Sequence, residues 1–271
     1  MKIALITSFL TVIIITNNAT GQSSRVVTKS PSNGHDLYTV NDIAKIDDEK
    51  SPFTGKFITV NFDGEKISEY NYVNGKLNGE FIAWSSRGKV RYIAKKGFYR
   101  DNKKEGAYTE WDENHKVREA TFKNNFLEGK NIFYKTIHDS DIIVSVANYS
   151  NDKLNGIATQ YYDNGKVSNI ERHKNGLWHG VQQSLFKNGN LSSEGNYVNN
   201  KRQGIQKSYY ENGQLLRSAN YINDVLDSVQ ISYYDNGKVK EVANYKMGKK
   251  FGKFIWYNED GSVKEETEFK L

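Results

Sequence analysis

The chain of 271 residues has no cysteine, which excludes a disulfide framework, a thiolate metal site and a cysteine nucleophile. Proline is nearly absent: there are two, Pro31 and Pro52, and none follows Pro52. A chain that donates backbone N–H groups continuously to a strand ladder avoids proline, so the change at residue 53 separates a linker from a sheet. There is no HExxH, GxSxG or GxxxxGK[ST] pattern. The five histidines, His35, His115, His138, His173 and His179, are scattered without closely spaced carboxylates to complete a zinc site. No catalytic residue, metal site or cofactor is therefore expected, and the chain is read as non-enzymatic. The acids Asp47, Asp48 and Glu49 read as a solvated linker. No block of five like charges occurs, and the net charge of +6 is spread along the chain, which argues against nucleic acid as a partner.

At the N-terminus, Lys2 precedes an apolar run from Ile3 to Ile15, followed by the small residues Ala19 and Gly21. This pattern predicts a secretory signal peptide over 1–21, cut ahead of Gln22. The run is short for a spanning helix, which needs ~20 apolar residues. The protein is thus expected to be exported to the periplasm, the cell surface or the medium. With no cysteine after the run, it is not a lipoprotein. Residues 22–52 read as a linker, with "DLYTV" at 36–40 as a possible edge strand.

What the chain has in abundance is a repeat. "YYDNGKV" begins at Tyr161 and again at Tyr233, with "LFKNGNL" at Leu185 and "YYENGQL" at Tyr209 between them, so the starts are 24 residues apart. Anchored on a small residue, the period runs through Gly55, Gly79, Gly106, Gly129, Gly156, Gly180, Gly204, Ser228 and Gly252, giving nine units over 53–271. Two intervals are 27 residues, and their three extra residues are expected in loops or bulges. Each unit holds two turn signals. One is Asn-Gly, as at 164–165, 188–189, 212–213 and 236–237, which predicts a two-residue type I′ hairpin turn. The other holds only Gly, Asn or Asp: Gly75, Asn102, Asn125, Asp152, Gly176, Asn200, Asp224 and Gly248.

The segments between turns are short and alternate. In "VQISYY", Val229, Ile231 and Tyr233 share one face and Gln230, Ser232 and Tyr234 the other; on the return, Val239, Ala243 and Tyr245 fall together. Seven residues before each anchor stands a ring: Tyr72, Tyr99, Phe122, Tyr149, His173, Tyr197, Tyr221 and Tyr245, with Phe269 equivalent in the last unit. This column is expected to be a structural spine. Tyr162, Phe186, Tyr210 and Tyr234 are expected on the face opposite the spine, as a candidate binding row for a polymer or partner strand. The fold class is all-β: an elongated antiparallel meander of stacked ~24-residue hairpins, solenoid-like or an open sheet, in which each unit buries its apolar stripe against its neighbours.

"PFTGKF" at 52–57, "YVNGKLNG" at 72–79, "YYDNGKV" and "YKMGKKFG" at 245–252 together resemble the bacterial MORN-repeat variant found in YwqK-type antitoxins. The resemblance covers about residues 52–271. It implies a hairpin-repeat sheet and a protein partner, a toxin; the more distant eukaryotic MORN repeats imply scaffolding and membrane lipid. The expected function is binding of a macromolecule, with an unidentified protein as the first partner class and envelope polysaccharide or lipid as the alternative.

Overall fold

A computed structural model describes residues 14–17, 23–29, 37–46 and 50–270. The remainder of the expected signal segment, His35 and the acids at 47–49 lie outside these. The described residues form strands and turns with no helix, and hence no helix long and apolar enough to cross a membrane. They divide into two compact units, Met1–Gly129 with Thr136–Asp141, and Lys130–Lys135 with Ile142–Leu271.

Both units are built from antiparallel hairpins, and one register recurs in them. The anchor residue lies directly across the ladder from the spine residue: Gly55 from Tyr72, Gly79 from Tyr99, Gly106 from Phe122, Gly156 from His173, Gly180 from Tyr197, Gly204 from Tyr221, Ser228 from Tyr245 and Gly252 from Phe269. Every anchor has a positive φ, from 69° at Ser228 to 143° at Gly55. Toward the preceding strand the register slips at the same place: Tyr221 pairs with Leu226 while Ala219 pairs with Gln230, so Asp227, Ser228 and Val229 bulge between them. Glycine recurs here because a bulge of this kind holds one residue in left-handed backbone. A side chain in the row before the spine staples the bulge: Asn71, Asn148 and Asn244 donate to the carbonyls of Glu80, Ile157 and Lys253 at 2.6, 2.9 and 2.5 Å.

The two turns are the reverse of the expected assignment. Type I′ turns, with positive φ at both central residues, follow the spine at Asn74-Gly75, Asp101-Asn102, Asn199-Asn200, Asn223-Asp224 and Met247-Gly248; His138-Asp139 has the same signs where other units have Asn-Gly. In the Asn-Gly turns only the glycine is left-handed, 78° at Gly165 and 84° at Gly237. There the amide of Tyr162 donates to Lys166 and that of Gly165 to Tyr162, closing a three-residue loop, Asp163 to Gly165. This is a type I turn followed by a glycine bulge. The three extra residues of the two longer units also depart from expectation. They lengthen strands, giving Lys76–Arg87 against Val90–Arg100, and Phe126–Ile137 followed by Ser140–Ser150.

The segment read as a linker contains strands. Ser23–Lys29 pairs in parallel with Gly55–Val60 and antiparallel with Ile14–Asn17. Leu37–Val40 is a strand, but it pairs with Ile43–Ile46 in a separate hairpin instead of edging the repeat sheet. That hairpin docks through Ala44, whose amide donates to Gly75 at 2.7 Å and whose carbonyl accepts from Phe53 at 2.9 Å. Val27, Ile46, Phe53 and Phe57 form a buried cluster with Leu37 and Tyr72 packed on it. A second cluster in the same unit joins Phe81, Tyr108 and Ala120 to Tyr70, Tyr99 and Phe122, with Tyr70 stacked on Phe81 at 5.6 Å. In the other unit the filled part of the spine face is at its C-terminal end, where Phe254 touches Tyr245, Trp256 and Phe269 at 5.4, 6.0 and 4.8 Å.

Two predictions follow from this packing. Ser228 is the one anchor that holds left-handed backbone with a side chain, so Ser228→Gly is expected to stabilise the protein by about 1 kcal/mol, read as a raised midpoint in urea. Burial, with a smaller contribution from Tyr70 and Tyr99, pushes the Tyr72 hydroxyl up to about 12; burial and its hydrogen bond to Glu110 push Tyr108 up as well. An unfolded chain releases these protons near pH 10, while the folded chain keeps them. Stability is therefore fully present below pH 10 and falls as the pH rises toward 12. Urea titrations at pH 8, 10 and 11.5 are expected to show that fall, reduced in Tyr72→Phe.

Candidate functional site

The hairpins expose both faces of their sheet, and the ladder decides which residues share each face. Opposite Tyr245 stands Ser228, opposite Ala243 stands Gln230, and opposite Glu241 stands Ser232. The spine face therefore carries Gln230 and Ser232, while Val229, Ile231 and Tyr233 lie on the other face. This inverts the apolar assignment expected from alternation. The cause is a second bulge: Tyr233 pairs with Val239 while Ser232 pairs with Glu241, so Lys240 is an extra residue and Val239 is carried to the face of Tyr233.

The same register moves the candidate binding row. Tyr234 continues the alternation of Gln230 and Ser232, and its amide still donates to Lys238 at 2.8 Å, so it shares the spine face instead of opposing it. Its hydroxyl donates to the carbonyl of Tyr257 at 2.7 Å, one repeat on. Tyr162 reaches Leu185 at 2.6 Å and Tyr210 reaches Tyr233 at 2.9 Å in the same way. Phe186 occupies the row without a hydroxyl. All four rings are half-buried. Each tyrosine leans over the intervening strand and ties one hairpin to the next. The turn asparagines do the same: Asn164, Asn188 and Asn212 accept from the amide two residues on and donate across to Lys187, Glu211 and Asp235 at 3.3, 3.0 and 3.1 Å.

The opposite turn edge is tied by a different pair. The amide of Asn200 donates to Trp178 at 3.0 Å, and its side-chain oxygen accepts from the Trp178 amide at 2.6 Å. Asn102 with Leu77 and Asp224 with Arg202 repeat the arrangement. Spine rings are half-buried, and His173 is buried with Nε2 2.9 Å from Glu171. The Nδ1 atoms of His173 and His179 have no partner among the described residues. No three His, Asp or Glu side chains converge as metal ligands among the described residues.

Two surfaces of the C-terminal unit remain open. On the face opposite the spine, Ile157, Val181, Ile205 and Val229 stand 24 residues apart, with 48, 38, 57 and 41 % of their surface exposed. Leu177, Val198, Ile222 and Val225 extend this apolar strip toward the type I′ turns. On the spine face lies a cleft of about 300 Å³ whose lining includes Trp178, Tyr197, Gln206 and Arg217. Sequence reasoning missed both. The signal for the cleft is the residue two after each anchor: Phe57, Phe81, Tyr108 and Phe254 in some repeats, Gln182, Gln206 and Gln230 in three consecutive others.

The row of rings gives a direct test. Phe186→Tyr supplies the hydroxyl that its neighbours direct at a carbonyl, here that of Tyr209, and is expected to stabilise by about 1 kcal/mol; Tyr210→Phe is expected to destabilise by about as much. Urea midpoints of both variants check this. Opposite signs support a tie between repeats, whereas no change in either contradicts it.

Comparison with known proteins agrees with the repeat. Residues 154–175, 178–199, 202–223, 226–247 and 252–271 each match the MORN repeat variant, a non-catalytic repeat module. No curated protein matches the chain. The segment from Leu154 onward is thus an array of five consecutive MORN-variant repeats, each a hairpin with its anchor bulge.

Proposed function

We propose that the protein is a non-catalytic binding platform whose apolar strip docks a protein partner. The observation that carries this reading is the row Ile157, Val181, Ile205 and Val229. Folding gains nothing from leaving four aliphatic side chains this exposed in register, and contiguous exposed apolar strips mark interaction surfaces. Consecutive repeats advance by two strands, so the row presents one aliphatic group every ~10 Å. Val181, Ile205 and Val229 are paired with the uncharged Asn196, Asn220 and Asn244, and the nearest charges on that face, Arg172 opposite Ile157 and the Lys207–Glu194 pair, flank the row. A centre without charge is how the buried middle of an interface is composed. The partner that fits is a protein presenting apolar side chains at a matching spacing.

Two finer elements belong to the same proposal. The N-terminal pattern from Lys2 to Gly21 supports action outside the cytoplasm. The resemblance to YwqK-type antitoxins supports a partner that the repeat array holds inactive, a toxin exported with it or encountered after export.

Affinity capture tests the reading, with residues 22–271 as bait against envelope and secreted fractions and mass spectrometry as the readout. One protein at near-equal stoichiometry, lost with Ile205→Glu/Val229→Glu while circular dichroism is unchanged, is the expected result. Capture undiminished by that variant, or recovery of lipid or wall polymer with no dominant protein, overturns it.

A further inference from the structure

The cleft lies on the spine face, away from the apolar strip, and its origin is a substitution within the repeat. Two residues after the anchor, Phe57, Phe81, Tyr108 and Phe254 are buried rings that fill the spine face. In the five repeats between, Asn131, Ala158, Gln182, Gln206 and Gln230 stand there instead, the last three carrying a long amide. Burying an aromatic side chain stabilises the fold, and a buried amide must also find hydrogen bonds. Five consecutive repeats thus forgo the ring, and three of them set a polar amide in its place, which is what functional sites do.

The backbone beneath is the same in both cases. Gly97 lies across the ladder from Phe81 on one side and Tyr108 on the other; Gly195 lies likewise between Gln182 and Gln206. A Cβ on Gly97 would stand 2.8 Å from the Phe81 ring and 3.0 Å from that of Tyr108. On Gly195 it would stand 1.5 Å from Gln206 Oε1. Glycine leaves room for rings in one place and for an amide lying flat in the other. The flat amide leaves open the space that a ring would take.

The groups around that space are defined. Trp178 and Tyr197 meet edge to face at 5.1 Å and form one wall. Gln182 is fully held: its oxygen accepts from the Arg172 amide at 2.8 Å and its nitrogen donates to Arg172 and Gly180 carbonyls at 2.9 and 3.1 Å. Gln206 is held at one end only, donating to Asn196 at 3.0 Å. Its oxygen, and the hydroxyls of the cross-strand pair Ser193 and Ser208, have no protein partner among the described residues. Charge is nearly balanced. Arg202 pairs with Asp224 at 3.1 Å and lies over the Tyr221 ring, while Lys207 and Glu194, an ion pair at 3.6 Å, alternate onto the opposite face. Arg217 donates to the neutral amide of Gln230 and has no carboxylate partner among the described residues.

We propose that this cleft binds a short saccharide carrying a carboxylate. Sugar rings present C–H faces that pack on aromatic rings and hydroxyls that exchange hydrogen bonds with amides and serines, which is the lining found here. The volume is at the lower end of small-ligand sites, ~300–1,000 Å³. One unpaired guanidinium matches one carboxylate and is too little for a nucleotide's phosphates. The polar floor disfavours an acyl chain.

The test titrates the full chain with digalacturonate, a glucuronate–N-acetylglucosamine disaccharide and N-acetylneuraminic acid, with cellobiose as neutral control. Calorimetry and the Trp178 indole N–H resonance are the readouts. Saturable binding of at least one acidic sugar, tighter than cellobiose and weakened about tenfold or more by Arg217→Gln, is expected. Gln182→Phe/Gln206→Tyr, which copies the residues flanking Gly97, is expected to abolish binding while raising the thermal midpoint. Trp178→Ala provides a second loss of binding that does not depend on refilling the cleft. Binding of none of the acidic sugars, or equal binding by the Trp178→Ala protein, overturns the proposal. Neither result bears on the apolar strip of the other face.

Discussion

The left-handed residue opposite each spine ring is the constraint on which the other features depend. It opens a bulge at Gly79, Gly106, Gly156, Gly180, Gly204, Ser228 and Gly252, and the bulge sets the phase of the strand that follows. With the phase set, the ring two strands on, the turn at each end and the choice of face all follow. Gly204 shows the constraint in isolation, since a Cβ there would meet nothing within 4 Å and its φ is +80°. What glycine supplies at that position is backbone freedom and not space.

Hydrophobic burial alone does not hold such a sheet together. Among the described residues the buried apolar side chains are few and concentrated around Phe57, Phe81, Tyr108 and Phe254. Between these places the repeats are tied along both edges by hydrogen bonds that recur once per unit. One edge uses Tyr162, Tyr210 and Tyr234 with the turn asparagines; the other uses Asn102, Asn200 and Asp224. Each tie joins residues just over twenty apart, so stability is passed from neighbour to neighbour, as in other repeat arrays. Both sheet faces are thereby left free to vary. One carries an apolar strip and the other lacks its rings over five repeats, three of them with glutamine there, on hairpins of the same kind.

Much of this was legible in the sequence. The period, the nine anchors and the spine could be read because each rests on a local requirement: positive φ for glycine, a ring to cover it. The face assignment could not be read, because alternation assumes an unbroken strand and repeats such as that of Ser228 contain two bulges. Val239 and Tyr234 were misplaced for that reason. The turns were exchanged because Asn-Gly serves both a two-residue I′ turn and the last two positions of a three-residue loop; loop length, not residue type, distinguishes them. The strands Ser23–Lys29 and Ile43–Ile46 were missed because Pro31 and Pro52 suggested a linker, although Val27, Ile46 and Phe53 supply core; the strand at 37–40 was expected, but as an edge of the repeat sheet. The cleft was hidden by the same phase error, which placed Gln230 outside.

The most direct measurement of the central claim is the urea stability of Gly204→Ala. If left-handed backbone at the anchor sets the register, this one methyl group, with open space around it, costs ~1–2 kcal/mol. An unchanged or raised midpoint would show that the anchor position does not govern the repeat, and would contradict the account.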